Sequence, residues 1–273
     1  MAPFATALKT QTAPFDACAE TYDAVFTESR VGRAQRASVW RELDRQFNPG
    51  QRILEINCGT CADALHLAES GVRVVACDAS GKMISVALSR ISKAGLSKSV
   101  DLRILRTEDL WLLDGRGIFD GALSNFGGLN CVEDLSSAGR DLGRLLKPGA
   151  KLVICVFGRW CAWEIAWHLA HGNPRKAFRR QDRNGAVAHL NGAELRIVYP
   201  AVRDLSRAFA PYFRLKSRQG VGVLVPPTYL EPLAFQFPRA FRNAEHFDRA
   251  LSRIPVVRIF ADHILLTFER IGD

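Results

Sequence analysis

Short apolar, β-branched runs that alternate with helix-length segments constrain this chain more than any other feature. Arg52-Ile53-Leu54-Glu55-Ile56, residues 72–77 closing on Asp78, and the runs 100–105, 119–124 and 151–157 all have strand length and composition. Between them the expected helices are 62–70, a helix capped by Ser80 whose Met83, Ile84, Ala87, Leu88 and Ile91 keep a 3.6-residue period, and 134–146. Each crossover is long enough for parallel pairing, so the pattern predicts an open α/β sheet. Ligands of such sheets sit outside the carboxyl ends of the strands, where strand order reverses.

Two helices, 17–28 and 33–47, are expected ahead of the first strand, the second carrying Trp40, Leu43 and Phe47 on one face. Beyond the fifth strand the pattern changes. An aromatic helix at 160–171 precedes a hairpin at 186–199 that turns at Asn191-Gly192. Pairing across that turn sets Leu190 opposite Ala193, Ala188 opposite Leu195 and Ala186 opposite Ile197, on one apolar face. A helix at 201–209, a strand at 214–225, a Pro- and Phe-rich segment at 226–254 and a last strand at 263–269 complete the chain. The expected organisation is an N-terminal lid (1–50), a core (51–158), a cap insertion (159–212) and C-terminal strands with an aromatic insertion (213–273).

With 273 residues, 48% of them hydrophobic, the chain buries a full core, which excludes disordered and small stapled classes. Of its 37 cations 29 are Arg, scattered rather than striped, so the net charge of +9 does not point to nucleic acid. The densest cluster, from Arg175 to Arg183, reads as a solvated helix face. Seven irregularly spaced cysteines read as reduced thiols, the first residues lack the apolar core of a secretion signal, and the most apolar stretch, 152–170, is interrupted by Arg159, Glu164 and His168. The expectation is a cytoplasmic protein without an integral membrane segment; oligomeric state is not legible.

Chemistry concentrates after the first two strands. Glu55 ends strand one, the loop Asn57-Cys58-Gly59-Thr60-Cys61 follows, and Asp78 ends strand two. Asp78 is placed to accept both hydrogens of a ribose, and Glu55 suits a ligand with a cationic group better than a pyrophosphate, for which the loop has too few glycines. These residues resemble a class I S-adenosylmethionine-dependent methyltransferase, whose first motif reads apolar-apolar-acid-x-Gly-x-Gly-x-Gly. The likeness spans residues 51–158 and includes Thr107-Glu108-Asp109-Leu110, Phe119 to Asn125, and Leu145-Leu146-Lys147-Pro148-Gly149.

The resemblance implies a Rossmann-like, doubly wound, mostly parallel seven-stranded sheet with a helical lid and a helix-plus-hairpin cap after strand five. It also implies S-adenosylmethionine as cofactor. Its aminoacyl end would lie near Gly59 and Tyr22, its ribose on Asp78, its adenine between Ala79, Met83, Thr107 and Glu108 or Asp109, and its sulfonium near Ser124 and Asn125. Asn57 and Cys61 depart from the pattern where glycine is usual, and a Cβ there demands backbone angles that glycine adopts most easily. Cys58-x-x-Cys61 lacks the further ligands of a zinc site and the setting of a redox pair, so no metal is expected.

For the acceptor, the aromatic residues after strand five suggest an apolar or aromatic small molecule lined by Phe126, Trp160, Trp163, Tyr199 and Tyr229. Arg33, Arg175, Arg179 or Arg180 would meet an acidic group on it. His263, entering the last strand, is the candidate base; His189 reads as a surface partner of Glu194, and Glu164, His168 and His171 share a helix face without further metal ligands. Two other readings remain at this point: a cofactor-binding or regulatory relative without methyl transfer, and a nicotinamide-dependent oxidoreductase.

Overall fold

The computed structural model describes residues 13–190 and 192–272, so Asn191 of the expected turn lies outside the described residues. A seven-stranded sheet runs in the order β3-β2-β1-β4-β5-β9-β8, with β1 Arg52–Ile56, β2 Arg73–Asp78, β3 Val100–Ile104, β4 Phe119–Ser124, β5 Leu146–Phe157, β8 Phe213–Val221 and β9 His263–Arg270. Only β9 runs against its neighbours, pairing antiparallel with both β5 and β8. The order reverses between β1 and β4, which opens a crevice above their carboxyl ends. β1 is buried on both faces, as a central parallel strand requires.

Helices cover both faces. α1 (Arg30–Gln46), α2 (Ala62–Glu69) and α3 (Gly81–Lys93) pack Val39, Leu43, Ala64, Leu67, Ala87 and Ile91 against Ile53, Val74 and Val153. On the other face α4 (Leu135–Leu145) and α7 (Val202–Phe209) bury Leu142, Leu145, Leu205 and Phe209 against Leu54, Leu152 and Phe268. Ser29 and Ser80 start α1 and α3 by accepting the amides of Gly32 (2.8 Å) and Met83 (3.0 Å). α5 (Ala162–Ala170), α6 (Pro174–Ala177) and the hairpin β6 (Ala186–Leu190) and β7 (Ala193–Ile197) follow β5, and the hairpin register is the expected one.

Two expectations are corrected. Residues 17–28 are not a regular helix: a 3-10 turn (Pro14–Ala17) and a π turn (Asp23–Thr27) stand there, and Asp16 and Asp23 reach across to α3 and to the loop after β1. The π turn closes directly on Gly32, whose Cβ, if it had one, would lie 1.7 Å from the Phe26 carbonyl oxygen. The Pro- and Phe-rich segment contains two helices, α8 (Glu231–Gln236) and α9 (Pro238–Leu251), each opened by proline in its first turn.

Candidate active site

The loop between β1 and α2 wraps the crevice. Gly59 (φ 53°), Asn57 (φ 57°) and Cys61 (φ 59°) are all left-handed, so the two residues that stand in for glycine adopt the angles glycine would. Asn tolerates this conformation; Cys61 pays strain for it and is held by complete burial of its thiol. Asn57 becomes a strut, donating to the Thr107 hydroxyl (2.9 Å) and accepting from that of Ser124 (3.0 Å), and so ties the loops after β1, β3 and β4 together. Burial pushes the Cys58 thiol well up, which leaves it protonated and unreactive.

Asp78 accepts the amides of Gly59 and Ser80, each at 2.8 Å, which orients its carboxylate at the crevice while burial raises its pKa. Ala79 beside it is exposed, Met83 is buried in the base of α3, and Thr107 is buried next to the partly exposed Glu108 and Asp109. Glu55 differs in kind. It is buried, its Oε2 has no hydrogen-bond partner among the described residues, and burial raises its pKa well above the usual carboxylate range, with the charge of Asp63 adding to the effect. The Arg36 guanidinium offsets part of that cost, and the free oxygen fits a further cationic group on a ligand.

Beside Glu55 lies a network the sequence reading missed. Asp63, in the first turn of α2, accepts from Arg36 (2.7 Å), Trp40 (2.6 Å) and Asn125 (2.9 Å). Burial works against the Arg36 charge, but Asp63 holds its pKa above the ordinary value. An acid two residues after the last glycine-like position, and an arginine on the buried face of α1, were the available signals.

From Arg36 a run of rings crosses the crevice. Tyr22 lies 5.7 Å from Phe26, Phe26 4.8 Å from Phe126, Phe126 5.3 Å from His263, His263 4.7 Å from Phe157, and Phe157 6.1 Å from Tyr199, centroid to centroid. The Arg36 guanidinium sits 4.8 Å from the Phe126 ring. Burial pushes the Tyr22 phenol up to about 12, so it stays a hydrogen-bond donor. Phe126 is itself left-handed (φ 45°), making the non-glycine residues with positive φ among those described Asn57, Cys61 and Phe126, all in this site.

Because β9 is antiparallel, its first residue stands at the crevice end of the sheet. That places His263 opposite Phe157 and Val221, 2% exposed, with neither ring nitrogen hydrogen-bonded among the described residues. Burial lowers its pKa even though Asp262 Oδ2 is 3.4 Å from Nδ1. Asp262 is engaged elsewhere, by Arg180 (2.8 Å) and Gln35 (3.1 Å).

The remaining expectations divide. Trp163 donates to the Leu224 carbonyl, and Tyr199 is buried at the end of the ring series. Trp160 and Tyr229 are each 45% exposed and touch none of its rings. Arg179 and Arg180 are not free for a ligand, since both are bound to Glu164 and Arg180 also to Asp262. His189 lies 3.6 Å from Glu194 on the surface.

Comparison with known proteins fits this geometry. The family described as "Methyltransferase domain" matches residues 53–149, the span from β1 to the start of β5 that carries Glu55, the loop and Asp78. Residues 53–149 thus match a methyltransferase domain, and the chain is similar over that span to S-adenosylmethionine-dependent methyltransferases. A demethylmenaquinone methyltransferase of Mycolicibacterium gilvum (strain PYR-GCK) is 32% identical over 147 residues, 52% of this chain and 58% of that protein, so the chain spans little more than half the length of that relative. Among solved structures the [4+2]-cyclase SpnF superposes with a TM-score of 0.62 at 19% identity, covering 94% of both chains. Geranyl diphosphate C-methyltransferase from Streptomyces coelicolor A3(2), solved with Mg2+, geranyl diphosphate and S-adenosyl-L-homocysteine, superposes at 0.56 and 14% identity, covering 86% of this chain and 78% of that one. At these identities the structural likenesses establish the fold alone, which the methyltransferase domain shares with proteins of differing chemistry.

Proposed function

We propose that this chain binds S-adenosylmethionine across the carboxyl ends of β1, β2 and β4 and transfers its methyl group to a small, largely apolar acceptor held among the rings of the crevice. The observation that carries the reading is Glu55, a buried carboxyl at the end of β1 with one oxygen unpartnered among the described residues, whose burial favours a cationic partner. Bound there, the cofactor supplies a methyl group on a sulfonium, open to in-line displacement. Glu55 accepts from its ammonium, Asp78 from its ribose hydroxyls, and Thr107 with Glu108 or Asp109 borders its adenine. Phe26, Phe126 and Phe157 exclude water and hold an apolar acceptor in line.

Where the acceptor carries an acidic O–H or C–H, His263 takes the proton. Asp262 Oδ2, 3.4 Å from Nδ1, favours the imidazolium charge that results. Calorimetry with S-adenosylhomocysteine tests the assignment. Wild type binds, and Asp78→Ala binds at least about ten-fold more weakly through loss of a charge-assisted pair of hydrogen bonds; wild type that does not bind, or Asp78→Ala that binds equally, overturns it.

A second reading rests on the strained loop. Left-handed Cys61 supports a relative that keeps the fold and binds the cofactor poorly, without transferring methyl groups. If Cys61→Gly tightens the cofactor greatly and still turns over no acceptor with labelled cofactor, this second reading stands and the first falls.

A further inference from the structure

An open cavity of about 350 Å³ lies between α1 and α9, lined by Arg30, Arg33, Pro238, Phe241, Arg242 and Glu245. Arg33 and Arg242 are exposed, and their side chains make no hydrogen bond or ion pair among the described residues. The positive charge continues along the groove. Arg249 follows Arg242 by seven residues on the same flank of α9, and Arg41 of α1 is close enough to Arg249 that, after burial, its charge is the next influence pulling Arg41 below its ordinary pKa.

The neighbouring acids do not compensate. Glu231 is occupied by the amides of Arg30 and Val31, at 2.8 and 2.9 Å, and Asp248 is buried against the amides of Gly222 and Leu224. Glu245 remains, one carboxylate against the three arginines of the lining. Apolar surface adjoins the charge. The Arg30 guanidinium rests 4.1 Å from the ring of Phe235, which is 59% exposed, and Phe237, next to the cavity's Pro238, is 53% exposed.

Uncompensated arginines beside protruding aromatic rings suit one environment, the headgroup boundary of an anionic bilayer, where cations meet phosphates and rings enter the acyl edge. We propose that the groove between α1 and α9 is a peripheral docking surface for anionic phospholipid membranes, with a lipid phosphate seated among Arg30, Arg33 and Arg242 and with Phe235 and Phe237 inserted. No helix among the described residues is long and apolar enough to cross a membrane, so the contact is one of surface and not of span. The placement is independent of the methyl-transfer reading and would hold if that reading failed.

The test is flotation of the full chain with vesicles of phosphatidylcholine alone and with added phosphatidylglycerol, at low and high salt. The chain is expected to float with the anionic vesicles at low salt and to be released by salt. An Arg33→Gln, Arg242→Gln double variant with unchanged thermal stability loses about 25-fold in partitioning, at roughly five-fold per removed charge. The corresponding double Lys variant keeps most of it, whereas Phe235→Ser with Phe237→Ser weakens binding to anionic vesicles at low salt. Equal flotation with neutral vesicles, no flotation with either, or undiminished binding by the double Gln variant overturns the proposal. Thermal stabilisation by inorganic phosphate that the double Gln variant abolishes, without vesicle binding, also overturns it and makes the cavity a site for a soluble anion.

Discussion

Glu55 is a buried carboxyl that the folded chain holds at a cost in stability. Its folded pKa is raised, so the folded state resists ionisation; stability falls as pH climbs from the ordinary carboxylate value of 4.5 towards the folded one. Glu55→Gln removes that penalty, and urea melts should find the variant as stable as wild type or more so at neutral pH. The same variant is expected to lose roughly ten- to hundred-fold in affinity for S-adenosylhomocysteine by calorimetry, since a charge-assisted bond contributes about 1.5–3 kcal/mol. His263 has the opposite sign. Its folded pKa is depressed, so stability is lost as pH falls below 6.5 towards the folded value, and the base form persists to lower pH than in a free imidazole. His263→Phe should flatten that acid limb of the stability profile, while in wild type the acid limb of methyl transfer should lie below 6.5.

At the scale of elements, α1 is joined to the cofactor loop by the buried pair Arg36–Asp63, at 2.7 Å with both side chains almost wholly enclosed. Removing one partner of such a pair strands the other. Asp63→Ala is therefore expected to cost about 3–5 kcal/mol, read as a lowered urea midpoint at unchanged slope, and Asp63→Asn less because it still accepts from Trp40. Elements with a strong local signal were legible: β4 runs from Phe119 to Ser124 as expected, and the hairpin register follows from its alternation of apolar and polar residues. Helix α9 was not, because Pro238 and the scattered phenylalanines resemble loop composition, and its buried face is defined by distant partners, with Val31, Val225 and Ala234 packing on Phe241. Residues 17–28 failed in the other direction: helical propensity lost to the carboxylates of Asp16 and Asp23, whose partners stand on α3 and the cofactor loop.

Across the whole molecule, those same carboxylates hold the N-terminal segment over the crevice. Asp23 accepts from Thr60 (2.7 Å) and Arg90 (2.5 Å), Asp16 from Ser80 (2.5 Å), and the turn Pro14–Ala17 also packs against the hairpin β6–β7. Asp23→Ala should raise amide hydrogen exchange in residues 13–28 several-fold while leaving the central strands protected, because only the local closing contacts are lost. Strand alternation, the two carboxylates, the glycine-like loop and the hairpin register were determined by the sequence alone, since each depends on neighbours a few residues apart or on a period of two or 3.6. Tertiary structure decided what long separations bring together: Asp63 on Arg36, His263 beside Phe157 through an antiparallel last strand, Arg179 and Arg180 taken up by Glu164, and free arginines facing one another across α1 and α9. Those contacts depend on which elements the folded sheet makes neighbours, and no local pattern encodes that adjacency.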